Sequence, residues 1–189
     1  MIQLDPTTTA VIAIDLQKGI TGMSLAPRTG EDIVQATASL AERVRQAGAT
    51  MAWVRVNWGP DFKDAPSNRV DLPAKRPDAG MPPEWDTLEP GLVRDGDLHA
   101  LKHHWGAFTG TDLDLQLRRR GIKTVVFTGI ATNMGVESSA RSAWELGYDV
   151  VILEDLCTSF SAELHAFPVD NIFPRIARVI KSDQLAFGA

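Results

Sequence analysis

KTVVFTGIATNMGVESSARSAWELG, residues 123–147, decides the fold. Its apolar run Val125-Val126-Phe127 reads as a strand, and the corner Gly129-Ile130-Ala131-Thr132-Asn133 ends that strand abruptly. A helical pattern follows at once and stops at Gly147. A strand that breaks straight into a helix leaves free backbone N–H groups and a positive dipole end aimed at one point. α/β proteins place their chemistry there, at the carboxyl ends of strands, although many such corners only connect.

Upstream, Thr9 to Ile14 is a continuous apolar run ending at Asp15, the pattern of a strand buried on both faces in a parallel sheet. The next segment carries Gly19, Gly22, Pro27 and Gly30 and reads as a loop able to move over a pocket. Ile33, Ala36, Leu40, Val44 and Ala47 recur at helical spacing, with Gly48 as the stop. Met51 to Val56 is a second strand ending at Asn57-Trp58, and Leu98 to Lys102 a third with Lys102 at its end. Thr111 is placed to cap the helix that carries Leu113 and Leu117. Downstream lie a fifth strand, Val150 to Leu153, and a helix from Ser159 to Asn171 that Pro168 must end or kink. Ile176 to Ile180 makes a sixth strand. Strands alternating with helices through right-handed crossovers predict one Rossmann-like α/β domain over residues 1–189, a three-layer α/β/α sandwich.

Residues 59–91 hold seven of the eleven prolines and show no period. A loop of that length inside a compact domain is either functional, as a pocket wall or subunit contact, or an irregular excursion. The net charge of −5 and the lack of any basic cluster beyond Arg118-Arg119-Arg120 argue against a nucleic-acid partner. Those arginines close a helix before Gly121, where cations complement the dipole. One cysteine, Cys157, allows neither an intrachain disulfide nor a cysteine-based zinc site. No basic region precedes the first apolar run, and no stretch is long enough to span a bilayer, so a cytoplasmic protein without a membrane partner is expected.

The sequence has no G-x-G-x-x-G, no Walker A lysine, no G-x-S-x-G elbow and no H-E-x-x-H. What remains is polar residues ending separate strands: Asp15, Lys102 and the corner at Gly135. A carboxylate and an ammonium in one cleft share a proton with substrate, each tuning the other, or simply form a structural ion pair.

The segments A-V-I-A-I-D15-L-Q, K102-H-H-W-G-A-F-T-G-T-D-L and G129-I-A-T-N-M-G135-V-E-S-S-A-R141-S-A-W resemble the isochorismatase-like hydrolases, the superfamily that includes nicotinamidases and N-carbamoylsarcosine amidases. The resemblance runs from about residue 8 to 181. It implies a six-stranded parallel sheet flanked by helices, a homo-oligomer (dimer or tetramer), and a catalytic triad of Asp, Lys and Cys. Asp15 and Lys102 match the first two; the third falls on Gly135. In the amidases the cysteine attacks a carbonyl carbon to give a covalent intermediate, a route that glycine closes. The histidines of the nicotinamidase metal site are missing after the second strand, so neither a metal nor another cofactor is expected. Isochorismatases proper resemble this chain in carrying glycine there. They cleave a vinyl ether to pyruvate and a dihydroxylated ring acid without a nucleophilic side chain.

The resemblance thus makes Asp15 a general acid and Lys102 its partner, acting on a small-molecule substrate, isochorismate being the named candidate. Asp15 must then hold a proton near neutral pH, with burial raising its pKa against Lys102. Ile130-Ala131 falls where the family carries a non-proline cis peptide, which would aim the Ala131 and Gly135 N–H groups into the cleft. Thr132 and Asn133 either contact substrate or satisfy their own turn. Trp58, Trp105 and Phe108 line the pocket or pack in the core. His103 and His104 face the cleft singly or serve structural and surface roles, and Arg141 reads as a structural ion-pair partner. Cys157, 22 positions past Gly135, reads as a buried small hydrophobe rather than a replacement nucleophile. The alternative to an enzyme is a small-molecule-binding protein that kept the fold and lost the thiol. Retention of both Asp15 and Lys102 argues against it, because a buried charge without a task is costly.

Overall fold

The computed structural model describes residues 1–188. At its centre is β2 (Thr9–Ile14), buried at every position. It pairs in parallel with β3 (Thr50–Val56) on one side and β5 (Thr124–Ile130) on the other. β4 (Leu98–Lys102) adds outside β3, while β6 (Asp149–Thr158) and β7 (Arg178–Ile180) extend beyond β5, all parallel. The six-stranded order is β4-β3-β2-β5-β6-β7. The chain therefore winds outward in both directions from β2. Such a sheet opens a crevice where the direction reverses, here between the carboxyl ends of β2 and β5.

Side-chain alternation along β2 builds a core on each face. Ala10, Ile12 and Ile14 pack with Leu113 and Leu117 of α3 (Leu113–Arg119) and with Ala140 and Ala143 of α4 (Glu137–Glu145). Val11 and Ala13 pack with Ile33, Leu40, Ala41 and Val44 of α2 (Gly30–Gln46), which follows the single-turn α1 (Lys18–Thr21). Apolar residues on alternating sides of a strand need cover on both, and the helices supply it. The three-layer sandwich is the result.

Several boundaries differ from the sequence reading. α2 starts at Gly30, because Thr29 and Asp32 form a reciprocal capping box. α3 has Asp112 at its cap position with no side-chain bond, and Thr111 Oγ1 accepts instead from the Leu113 N–H at 3.3 Å. β6 runs to Thr158, with a register shift between Phe127 and Gly129 of β5 that absorbs residues 153–156. Pro168 falls in the last turn of α5 (Ala162–Asn171). The sixth strand of the sheet begins at Arg178, because Phe173–Arg175 forms a tight turn that buries Phe173. A separate parallel pair joins β1 (Ile2–Leu4) to β8 (Leu185–Phe187). Strands of three residues carry too little period to announce themselves.

Gly129 is where the central strands press closest. Its φ is +117°, and a Cβ there would sit on the carbonyl of Ile14 in β2. Glycine supplies both the backbone conformation and the room. Among the described residues no helix is long and apolar enough to cross a membrane.

Candidate active site

Asp15 is the residue at which β2 turns away from the sheet, with φ +55° and its N–H donating to the Val54 carbonyl at 2.9 Å. Aspartate enters this left-handed region more readily than most residues. Lys102 ends β4, two strands away, and its Nζ donates to Asp15 Oδ2 at 2.7 Å. The pair is buried, the lysine side chain 2% and the aspartate 7% exposed. Asp15 Oδ1 has no hydrogen-bond partner among the described residues. Burial pushes the Asp15 carboxyl up to about 6 although the charge and hydrogen bond of Lys102 pull it down. Desolvation of the charged form is the larger effect here.

The third corner of the site comes from β5. The Ile130–Ala131 peptide is cis, and Thr132–Val136 form a π-helical turn before α4. Single π turns inside helices are often found at functional sites. Ser139 Oγ donates to the Gly135 carbonyl at 2.6 Å and accepts from the Ala107 N–H at 3.0 Å. It ties the turn to the segment that follows β4. Gln17, fully buried, does the same for the opposite wall. Its amide donates to the Val56 and Trp85 carbonyls at 3.0 and 3.3 Å, and its Oε1 accepts from the Val56 N–H at 2.9 Å. Neither residue was singled out from sequence. A polar residue two positions past a strand-ending aspartate was the available signal for Gln17.

A cavity of about 1070 Å³ opens over Asp15, Lys102, Ala131 and Gly135, walled by Trp58 and Trp85. Trp105, His103 and His104 line it as well. The loop 59–91 proves to be a wall of this cavity, contributing residues from Phe62 to Trp85. The Trp58 indole is fixed by its Nε1–H donating to the His103 carbonyl at 2.6 Å.

Three of the candidate site residues lie outside the cavity lining. Phe108 is a core residue, 7% exposed, with its ring 5.9 Å from that of Tyr148. Thr132 is fully buried behind the turn, where its Oγ1 is 2.8 Å from Nδ1 of His165. Asn133 Oδ1 accepts from Ser159 Oγ at 2.6 Å. Both polar side chains therefore hold the turn from behind and are absent from the cavity lining. Arg141 pairs with Glu137 at 2.9 Å on the surface of α4, a structural role. Cys157 is fully buried among core residues and its thiol is pushed up to about 12, chiefly by burial. A thiol so held does not ionise near neutral pH and is no nucleophile. Among the described residues, no group of three or more His, Cys, Asp and Glu side chains is placed to hold a metal ion.

The sequence matches the family model of the isochorismatase domain over residues 9–184. The chain belongs to the isochorismatase family. One similar isochorismatase-family member, the uncharacterized protein YecD of Escherichia coli O157:H7, is 45% identical over 98% of both chains. An isochorismatase family protein of known structure from Burkholderia thailandensis is 42% identical, with a TM-score of 0.91 over 97% of this chain and 95% of that one. The ureidoacrylate amidohydrolase RutB of Agrobacterium fabrum is 31% identical over 94% of this chain and 90% of its own length. This chain is accordingly an isochorismatase-family hydrolase.

In this family member Gly135 has little room to be anything else. A Cβ at that position would lie 2.9 Å from Ile14 Cγ2 and 3.3 Å from Asp15 Oδ2. Gly135→Ala is expected to cost about 1–3 kcal/mol, the usual penalty for forcing an extra methyl into a packed site. Ile14→Leu, which removes the branch that Cβ would strike, should recover part of it. Urea denaturation of the three variants checks this; equal losses with and without Ile14→Leu would show that Ile14 is not the obstacle.

Proposed function

We propose that the protein hydrolyses a small molecule by Asp15/Lys102 acid–base chemistry without a covalent enzyme intermediate, and that a vinyl ether of the isochorismate type is its substrate. The observation that carries this is the buried Asp15–Lys102 pair facing a cavity in which Gly135 presents no side chain. Lys102 occupies Oδ2, which leaves Oδ1 as the oxygen to carry a proton. Asp15 gives that proton to the terminal carbon of the enol ether. The resulting oxocarbenium is stabilised by the carboxylate left behind, and water adds to its carbon, returning a proton to Asp15. The hemiketal then collapses to pyruvate and the ring alcohol. Lys102 holds the carboxyl in place and stabilises its charged form during the cycle.

A carboxyl with a pKa of about 6 is still partly protonated at neutral pH, which is what a general acid requires. As the acid must carry its proton, kcat/KM is expected to be highest below pH 6 and to fall about tenfold per unit above it. A profile that rises through this range would assign Asp15 the role of a base instead.

The likeness to a ureidoacrylate amidohydrolase makes an amide the competing substrate type. Amide cleavage through a thioester needs a reactive cysteine, and the one cysteine here is buried and un-ionised. The deciding experiment is pyruvate release from isochorismate beside ammonia release from a panel of amides. Turnover of amides without pyruvate release would reject the vinyl-ether reading.

A further inference from the structure

The wall that loop 59–91 gives the cavity carries charge of its own. Among the described residues, the cavity as a whole is lined by three cations, Lys75, Arg76 and Lys102, but by one carboxylate, Asp15, already paired with Lys102. This surplus of positive charge sits in a chain whose net charge is −5. Lys75 and Arg76 belong to the loop 59–91 and make no ion pair with any described residue. Of the aspartates in that loop, Asp61 pairs with Lys63 at 2.9 Å, Asp64 accepts from the Gly59 N–H and lies 3.3 Å from Nδ1 of His103, and neither Asp71 nor Asp78 lines the cavity.

Arg76 is nonetheless held in place. Its guanidinium donates to the Pro66 carbonyl and lies 5.8 Å from the centroid of the Phe62 ring. Phe62 is, with Asp15, one of the two non-glycine residues at positive φ among the described residues, here +52°. For a bulky aromatic residue that conformation is rare and is retained only where the surroundings enforce it. The Phe62 ring stands 6.2 Å from that of Trp58, which stands 5.7 Å from that of Trp85. The result is a ladder of tilted aromatic rings that ends in a cation. Arginine keeps most of its five donors free in such a setting, in the fork that fits a carboxylate.

We propose that Lys75 and Arg76 form an anion-reading site for a carboxylate of the substrate, so that the cavity selects small, flat, conjugated acids over their uncharged counterparts. The aromatic ladder takes the flat face, the guanidinium takes the carboxylate, and the scissile bond lies toward Asp15 and Lys102. This rests on the reading of Asp15 and Lys102 as the reacting end of the cavity. It adds a substrate class that the pair itself does not dictate.

The test is calorimetric binding of two probes that no hydrolase turns over, benzoate and its neutral, equally flat counterpart acetophenone. The parent protein is expected to bind benzoate at least about tenfold more tightly, the return for one charge-assisted contact. The double variant Lys75→Gln, Arg76→Gln should bring the two affinities to within about twofold while leaving acetophenone binding unchanged, which also reports that the cavity is intact. Lys102→Met should keep the benzoate preference. The proposal is overturned if the parent does not prefer benzoate, if the preference survives in the double variant, or if it disappears only in Lys102→Met. Because binding is read without turnover, a protein that fails to release pyruvate from isochorismate yet prefers benzoate through Arg76 separates failure of the reaction from failure of this site.

Discussion

Asp15→Asn is expected to lower kcat/KM about a thousandfold, within the range supplied by a positioned proton donor. The amide keeps the shape of the carboxyl but cannot deliver a proton, and Lys102 Nζ at 2.7 Å keeps an acceptor. Retention of more than a tenth of the parental activity would remove Asp15 from the chemistry.

The same pair makes a second, opposite statement about stability. In the folded protein the Asp15 carboxyl holds its proton up to about pH 6, whereas its ordinary value is 3.8. A raised acid favours the folded state at low pH and works against it as pH climbs from 3.8 through 6. The ionised group then costs about 3 kcal/mol at neutral pH. Asp15→Asn lifts that cost but strands a buried ammonium, for which a loss of about 3–5 kcal/mol is usual. Replacing both partners, Asp15→Leu with Lys102→Met, should return stability to within about 1 kcal/mol of the parent or above it, in an inactive protein. Urea denaturation of the single and double variants decides the matter. A double variant no more stable than Asp15→Asn would mean that packing, rather than charge, holds this corner together.

Gly129→Ala should abolish the native fold or cost more than about 4 kcal/mol, a size reached by few point substitutions. The added methyl would meet backbone atoms of Ile14 in the central strand, which have nowhere to move, and it would do so at φ +117°. Gly147→Ala is the control. It too has a positive φ, +84°, but no described residue comes within 4 Å of its absent Cβ. Only the conformational penalty of about 1–2 kcal/mol applies there. Comparable losses at the two positions would show that close approach of β2 and β5 is not what requires glycine.

The fold was legible where burial on both faces wrote continuous apolar runs, as along β2 and in Val125-Val126-Phe127 of β5. It was least legible where tertiary contacts extend or create a strand, in the second half of β6 and in β1 with β8. At the site, Asp15 and Lys102 stood out as strand-ending charges, but a structural ion pair was an equal reading of them, and only the family resemblance gave them roles. For Thr132 and Asn133 the sequence leaves substrate contact and support of the turn both open. A polar residue in a tight corner has the same sequence signature whether it faces the cleft or props the turn from behind, as these do through His165 and Ser159. Phe108 is open for a similar reason: an aromatic after a strand end serves a pocket or a core equally well, and here it packs against Tyr148 in the core. The cations of the loop 59–91 carried no period and no motif, so only their place over the cavity marks them.

The sealed state of Cys157 has a practical use. Since the one native thiol is buried and un-ionised at working pH, the chain offers a silent background for thiol-directed attachment. A cysteine introduced at Ser67, on the cavity wall but exposed to solvent, would be the single site to take a maleimide dye. Occupancy of the cavity would then be readable as a colour or intensity change in one reporter, before any substrate has been identified.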